Sequence, residues 1–300
     1  MTNNKLNPNW VTGFIDGEGC FRTSLTRSKN RKIGWKIYLS FQIRLHIRDK
    51  DLLVEIKSFF NNIGKIYARN TSVDYVVRSL DEITKIIIPH FNKYPLLTQK
   101  QSDFILFKEI AELMNKDEHL NKDGLIKIIN LKASLNKGLS NNLKLYFPNV
   151  IGIERSNINP PININYNWIA GFFSGEGCFL INICKALDHK IGYSIYLRVS
   201  VNQHVRDKLL LKALTNVIDC GNMYKHSKDA MVFMVFKFED INNKIIPLFN
   251  KYKIRGIKSL DYIDFCEAAK LINEKTHLTE QGLKKIILIK SKMNRARYFN

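Results

Sequence analysis

WVTGFIDGEGCF occupies residues 10–21, and WIAGFFSGEGCF occupies residues 168–179. The first phrase follows a helix-start signal, Asn7-Pro8, with the proline suited to the first turn. The run from Trp10 to Ile15 is apolar nearly all round, which predicts a short helix buried on every side. Thr12-Gly13 and Ala170-Gly171 keep one stripe of each helix small, so that a second backbone can approach closely. Glycines at 17, 19, 175 and 177 then end the two helices, and each phrase closes on Gly-Glu-Gly.

The second phrase repeats the first at a shift of 158 positions, carrying residue 18 onto residue 176, and the same register aligns much more. Lys32-Ile33-Gly34 meets Lys190-Ile191-Gly192, and His46, Arg48, Asp49 and Lys50 meet His204, Arg206, Asp207 and Lys208. Pro89 through Tyr94 meets Pro247 through Tyr252. One register held over half a chain is a domain duplication, and its period is too long for a solenoid. The expected organisation is a first domain over residues 1–139, a linker over 140–165 and a second domain over 166–300. The linker, SNNLKLYFPNVIGIERSNINPPININ, is rich in Asn and carries Pro160-Pro161.

In KIYLSFQIRL, residues 36–45, Ile37, Leu39, Phe41 and Ile43 alternate with Lys36, Tyr38, Ser40, Gln42 and Arg44, the period of a half-buried strand. The second copy alternates likewise, with Tyr196, Arg198, Ser200 and Asn202 outward. Residues 20–27 form an earlier strand, with Arg22 and Ser24 on one side. A further hairpin spans 65–69 and 74–79, and is matched at 222–238. Asp49 and Asp207 fall where strand gives way to helix, an N-cap position. Amphipathic helices are expected at 102–115, 122–136, 260–273 and 280–294. Each copy thus reads αββαββα: an α+β fold with one antiparallel sheet, one face on helices and the other free. Two such twisted sheets about a pseudo-twofold axis form a saddle wide enough for a duplex.

The chain has 300 residues, 45% of them hydrophobic, with Lys+Arg 47 against Asp+Glu 27 and a net charge of +20. Such a surface calls for a polyanion, with nucleic acid foremost. Side chains on the free faces can read base edges. The contact candidates on the first sheet are Arg22, Ser24, Lys36, Tyr38, Ser40, Gln42, Arg44, Arg69 and Arg78. On the second they are Asn182, Tyr196, Arg198, Ser200, Asn202 and Lys225. The five cysteines form no C-x-x-C pair, so they signal neither a zinc site nor a redox motif. With no secretory signal at the start, the odd count points to a reducing compartment. No apolar run has the length of a membrane span, so no membrane partner is expected.

Glu18 and Glu176 end the paired helices. Packed along the twofold axis, these carboxylates would lie side by side, each at the negative end of a helix dipole and each repelling the other. A hard divalent cation relieves both conflicts, and Mg²⁺ takes oxygen ligands, keeps waters and accepts phosphate oxygens. The carbonyls of Gly17 and Gly175 are further candidate ligands. At the centre of a basic saddle, such a site would hydrolyse phosphodiesters.

WVTGFIDGEG and WIAGFFSGEG resemble the two motifs of a single-chain LAGLIDADG homing endonuclease. SFQIRLHIRDK, KYPLLTQK, SGEGCF, DINNKIIPLF and KLINEKTHLTEQGL are similar to stretches of the monomeric enzymes of fungal mitochondrial introns. The resemblance implies a monomer that cleaves both strands of a long asymmetric DNA target across the minor groove, leaving short 3′ overhangs. It further implies Mg²⁺, with Ca²⁺ or Mn²⁺ as substitutes, held by Glu18 and Glu176, and an organelle-encoded protein of the mitochondrial matrix. Gln203 matches the polar residue that arranges the family's water network, whereas its counterpart Leu45 does not. Lys225 matches the flanking basic residue. Asp16, replaced by Ser174 in the second copy, reads as structural. His46 and His204 read as satisfied strand-end histidines, and His119 and His277 as structural; Lys100 and Lys258 are left open between phosphate contact and solvation. Some relatives act as maturases on intron RNA, so RNA binding and silent DNA binding stand as the alternatives.

Overall fold

The computed structural model describes residues 5–297; the outer limits of the two expected domains, residues 1 and 300, lie outside them. By packing, the chain divides into two units. One comprises the residues through Pro8 together with Glu18–Asn159. The other comprises Asn9–Gly17 and the residues from Pro160 on. The first motif helix, α1 (Pro8–Glu18), therefore packs almost wholly with the second unit, and residues 140–159 pack with the first.

In the first unit, β1 (Gly19–Arg27) and β2 (Trp35–His46) lead to α2 (Lys50–Phe59), and then to β3 (Lys65–Ala68) and β4 (Ser72–Val77). The sheet is antiparallel in the order β1-β2-β4-β3. Next come α3 (Leu80–Glu82), a π-helical segment (Ile83–Ile87) and α4 (Ile88–Lys93). Two longer helices follow, α5 (Lys100–Asn115) and α6 (Lys122–Ser134), and then the short α7 (Asn141–Tyr146).

The second unit repeats the plan. Its elements are α8 (Tyr166–Glu176), β5 (Gly177–Lys185), β6 (Tyr193–His204), α9 (Lys208–Ile218), β7 (Asn222–Lys225) and β8 (Ala230–Val235). These are followed by α10 (Phe238–Asp240), a second π segment (Ile241–Ile245), α11 (Ile246–Lys251), α12 (Lys258–Asn273) and α13 (Glu280–Ser291). The sheet order is β5-β6-β8-β7. Each π segment lies just before a proline, Pro89 or Pro247, which lacks an N–H and crowds the carbonyl four residues back.

Alternation along the strands builds the cores. Phe21 and Phe41 point to the helix side, and Phe21 meets Phe91, Phe104 and Phe107 at centroid distances of 5.3 Å. In the second unit Phe179 meets Phe249, Tyr262 and Phe265 at 5.9, 5.3 and 5.4 Å. Each buried ring contributes roughly 1.5–3 kcal/mol of transfer free energy.

A buried aspartate anchors the chain after the last long helix of each copy. Asp103 Oδ1 accepts from Asn136 N (2.8 Å) and Arg155 Nη1 (2.7 Å). Asp261 Oδ1 accepts from Asn294 N (2.9 Å) and Arg297 Nη2 (2.9 Å). Arg155 thus ties the expected linker onto the first unit.

Asp49 and Asp207 take the N-cap position expected of them, but neither side chain makes a cap hydrogen bond. A 3-10 turn intervenes, and histidines cap that: His46 Nδ1 accepts from Arg48 N at 3.3 Å and His204 Nδ1 from Arg206 N at 3.2 Å. An imidazole acceptor was available one turn earlier than the carboxylate.

Candidate active site and nucleic-acid interface

The contact between α1 and α8 lies within the second unit and depends on glycine. A Cβ at Gly13 would stand 2.0 Å from Trp168 O, and one at Gly171 would stand 1.9 Å from Trp10 O. The small stripes seen in the sequence therefore meet backbone to backbone. Side chains around this contact are fixed by hydrogen bonds. Trp168 Nε1 donates to Asp16 Oδ2 (2.9 Å), and Trp10 Nε1 donates to Lys253 O (3.1 Å). Ser174 Oγ donates to Ala170 O (2.7 Å) and accepts from Arg255 N (3.1 Å). Asp16 and Ser174, which occupy equivalent positions, are both buried and both hold neighbouring chain in place.

At the C-terminal end of α8, the Glu176 side chain lies beside the main chain of Gly17: a Cβ there would meet Glu176 Cγ at 3.0 Å and Oε1 at 3.6 Å. Gly17 is the residue before Glu18, and its lack of a side chain clears room for the Glu176 carboxylate. Glu18 and Glu176 are each half-buried. Lys258, at the start of α12, donates from Nζ to Gly175 O. One lone pair of that carbonyl, a candidate metal ligand, is therefore already engaged, and a positive charge sits at the negative end of the helix dipole. Lys225, the basic residue expected near the site, is exposed at the end of β7 in register with Met231. The lysine at the helix end is Lys258, and the signal that could have found it was its match to Lys100 under the repeat.

Among the described residues, no group of three or more His, Cys, Asp or Glu could hold a metal. That excludes a zinc-type cage of nitrogen and sulfur ligands and fits a hard cation that takes one or two carboxylates, with water and phosphate completing its shell.

Gln203 is half-buried on β6 in register with Met231, and Leu45 occupies the matching place on β2 opposite Val73. The free faces of the sheets carry the residues expected there. On the first, Arg22, Ser24, Lys36, Tyr38 and Arg44 are exposed, as are Arg69 and Arg78, while Ser40 and Gln42 are half-buried. Arg22 Nη1 donates to Gln42 Oε1 (3.2 Å), Lys36 Nζ lies 4.8 Å from the Tyr38 ring centroid, and Arg78 packs over Tyr67. On the second sheet Tyr196 and Asn202 are exposed and Asn182 and Arg198 half-buried. Asn182 Nδ2 and Arg198 Nε are shielded donors without a protein acceptor. Ser200 is only 4% exposed, flanked in register by Cys178 and Met234, which limits what it can offer a ligand. Burial pushes the thiols of Cys20 and Cys178 up, which makes them poor nucleophiles.

Two equivalent α+β units, each built on a small-striped helix ending in Gly-Glu-Gly, define a duplicated two-motif protein with basic sheet faces. The family model for the LAGLIDADG endonuclease matches twice, over residues 11–111 and 169–269. The chain belongs to the LAGLIDADG endonuclease family. It is 42% identical over 302 aligned residues to a probable intron-encoded endonuclease of Neurospora crassa. That alignment takes in 96% of this chain but 65% of the relative, so the chain spans about two thirds of the relative's length. Among solved structures, it resembles the LAGLIDADG homing endonuclease I-SmaMI bound to cleaved DNA, with TM-score 0.95 and 40% identity over 98% of this chain and 99% of the other. I-SmaMI bound to uncleaved DNA target in the presence of calcium ions gives TM-score 0.94 and 41% identity over 97% and 99%. The homing endonuclease I-GzeII in complex with its DNA target gives TM-score 0.92 and 44% identity over 98% and 100%.

Proposed function

We propose that this protein is a site-specific endonuclease that cuts both strands of a long, asymmetric duplex DNA target by divalent-metal-dependent hydrolysis, leaving short 3′ overhangs. The observation that carries this reading is the α1–α8 contact, where glycine on glycine sets the ends of two Gly-Glu-Gly helices. Glu18 and Glu176 hold the cation, Mg²⁺ in the cell, and Gly17 and Gly175 contribute carbonyls beside them. A divalent cation held there supplies a polarised water and neutralises charge at the scissile phosphate. Lys258 keeps the end of α8 in place and brings positive charge to it. Gln203 orients water through its amide on one strand, a role its counterpart Leu45 cannot take, so the two nicks differ in rate. The sheet faces, with Lys225 among their basic residues, bind the duplex. The chain acts as a monomer, is encoded within an intron and works in the mitochondrial matrix.

The test begins with selection of a target from a pool of random duplex DNA, followed by incubation of that target with Mg²⁺. Double-strand breaks with short 3′ overhangs support the proposal. Specific binding without product would make the protein a silent DNA binder, and preference for intron RNA over every duplex would make it a maturase.

A further inference from the structure

Strand β4 reads SVDYVV, and its third residue breaks the pattern that β strands favour. Aspartate is depleted in strands, and a carboxylate seldom survives burial without a partner. Asp74 is nonetheless 3% exposed, in mid-strand, and lies in register with Arg44 on one side and Tyr67 on the other. At the equivalent place on β8, AMVFMV carries Val232, facing Asn202 rather than an arginine. The second copy thus has the residue that strand propensity prescribes, and the first departs from it.

The departure has a partner. Arg44 Nε donates to Asp74 Oδ1 at 2.5 Å, and Arg44 Nη2 donates to Oδ2 at 3.1 Å. Arg69 approaches Oδ2 at 3.7 Å from the next strand end. The Asp74 side chain is 5% exposed and that of Arg44 is 54% exposed. The guanidinium therefore stands on the free face of the sheet with one edge gripped by a rigid carboxylate. The Arg44 hydrogen bonds hold the Asp74 carboxyl below its usual range. A fork bonded through Nε and Nη2 keeps its Nη1 donors and the outer Nη2 donor for a ligand. Those donors lie parallel at the tip, the geometry that matches O6 and N7 of guanine.

We propose that Asp74 is a positioning residue that locks Arg44 to read one guanine of the target, and that only the half-site read by the first sheet contains this base. The proposal deepens the DNA-cleaving reading above and rests on it. Its physical basis is entropy: an arginine free to swing loses its rotamers on contact, whereas one already clamped does not. A wrong base then leaves aimed donors unpaired. A contact to phosphate would instead weaken all sequences alike.

The repeat itself supplies the test. Asp74→Val installs the second copy's residue, and Asp74→Asn keeps the shape while removing the charge. Wild type, both variants and Arg44→Ala are each used to select from a randomised duplex pool without divalent metal, and thermal melting is recorded alongside. The expected result is one consensus for all four proteins except at a single position. There, wild-type preference for guanine falls tenfold or more in Arg44→Ala and Asp74→Val, and by a smaller factor in Asp74→Asn, while Asp74→Val melts no lower than wild type. Preferences within twofold of wild type at every position in Asp74→Val would overturn the inference alone. Equal weakening on all sequences would reassign Arg44 to phosphate and overturn it too. Absence of any consensus with wild type would overturn the DNA-cleaving reading and this inference with it.

Discussion

The Trp168 indole donates a buried 2.9 Å hydrogen bond to Asp16 Oδ2, joining positions 152 residues apart in the chain. The acidic residue two places before Glu18 is thereby committed to holding α8. Asp16→Ala strands a buried N–H and should cost about 2 kcal/mol. Asp16→Asn preserves an acceptor and should cost less than half as much, with metal-dependent cleavage intact. Urea unfolding and plasmid cleavage by the two variants check this; loss of cleavage in a stable Asp16→Asn would place Asp16 in the metal site.

The Gly13–Gly171 contact is the least forgiving part of the structure. A methyl at position 171 would meet Trp10 O at 1.9 Å, and backbone cannot move aside as a side chain can. Gly171→Ala should destabilise by at least ~3 kcal/mol, the upper range for overpacking. Calorimetry would show a melting temperature lowered by several degrees; an unchanged one would mean that the helices do not close as described.

His90 lies among Phe59, Phe60, Phe91 and Tyr94, and burial lowers its pKa to about 4. Above the ordinary histidine range the imidazole is neutral in both folded and unfolded chains, and its full contribution is present. As pH falls from about 6.5 towards 4, the unfolded chain takes up a proton that the native state refuses, so stability is lost by up to about 3 kcal/mol. His90→Leu, which installs the second copy's residue at Leu248, should flatten this slope. Burial also lowers His119 and His277, so a shallow slope should persist. Denaturant midpoints measured between pH 4 and 7 decide it, and an equally steep slope in the variant would refute the assignment.

Gln203 on β6 and Leu45 on β2 are an unequal pair at equivalent positions of the two copies. Gln203→Ala should slow one nick by tenfold or more and leave the other within twofold, so that nicked circles accumulate from a supercoiled plasmid. Equal rates in variant and wild type would remove Gln203 from the chemistry.

Much of this architecture was legible because the chain states it twice. The 158-residue register exposed the duplication, the period-two alternation of Ile37 to Ile43 gave the free sheet face, and the Gly13 and Gly171 stripes announced a close helix contact. The misses are tertiary. Nothing local announces the 3-10 turn that His46 caps just ahead of the helix that Asp49 begins. Lys258 looks like any helical lysine until Gly175 is brought to it by folding. Asp74 was readable as an oddity within a strand, but only its pairing with Arg44 across the sheet gives the oddity a meaning.

The most direct test removes the charge at the end of each motif helix while keeping its shape. Glu18→Gln and Glu176→Gln, assayed with Mg²⁺ on the selected target, should each lose cleavage by a factor of about 10³ or more, the scale of lost electrostatic stabilisation in hydrolytic sites. Their Kd for the same DNA should stay within a few-fold of wild type. Cleavage by either variant at a rate near that of wild type would contradict the assignment of these carboxylates as the metal-holding pair.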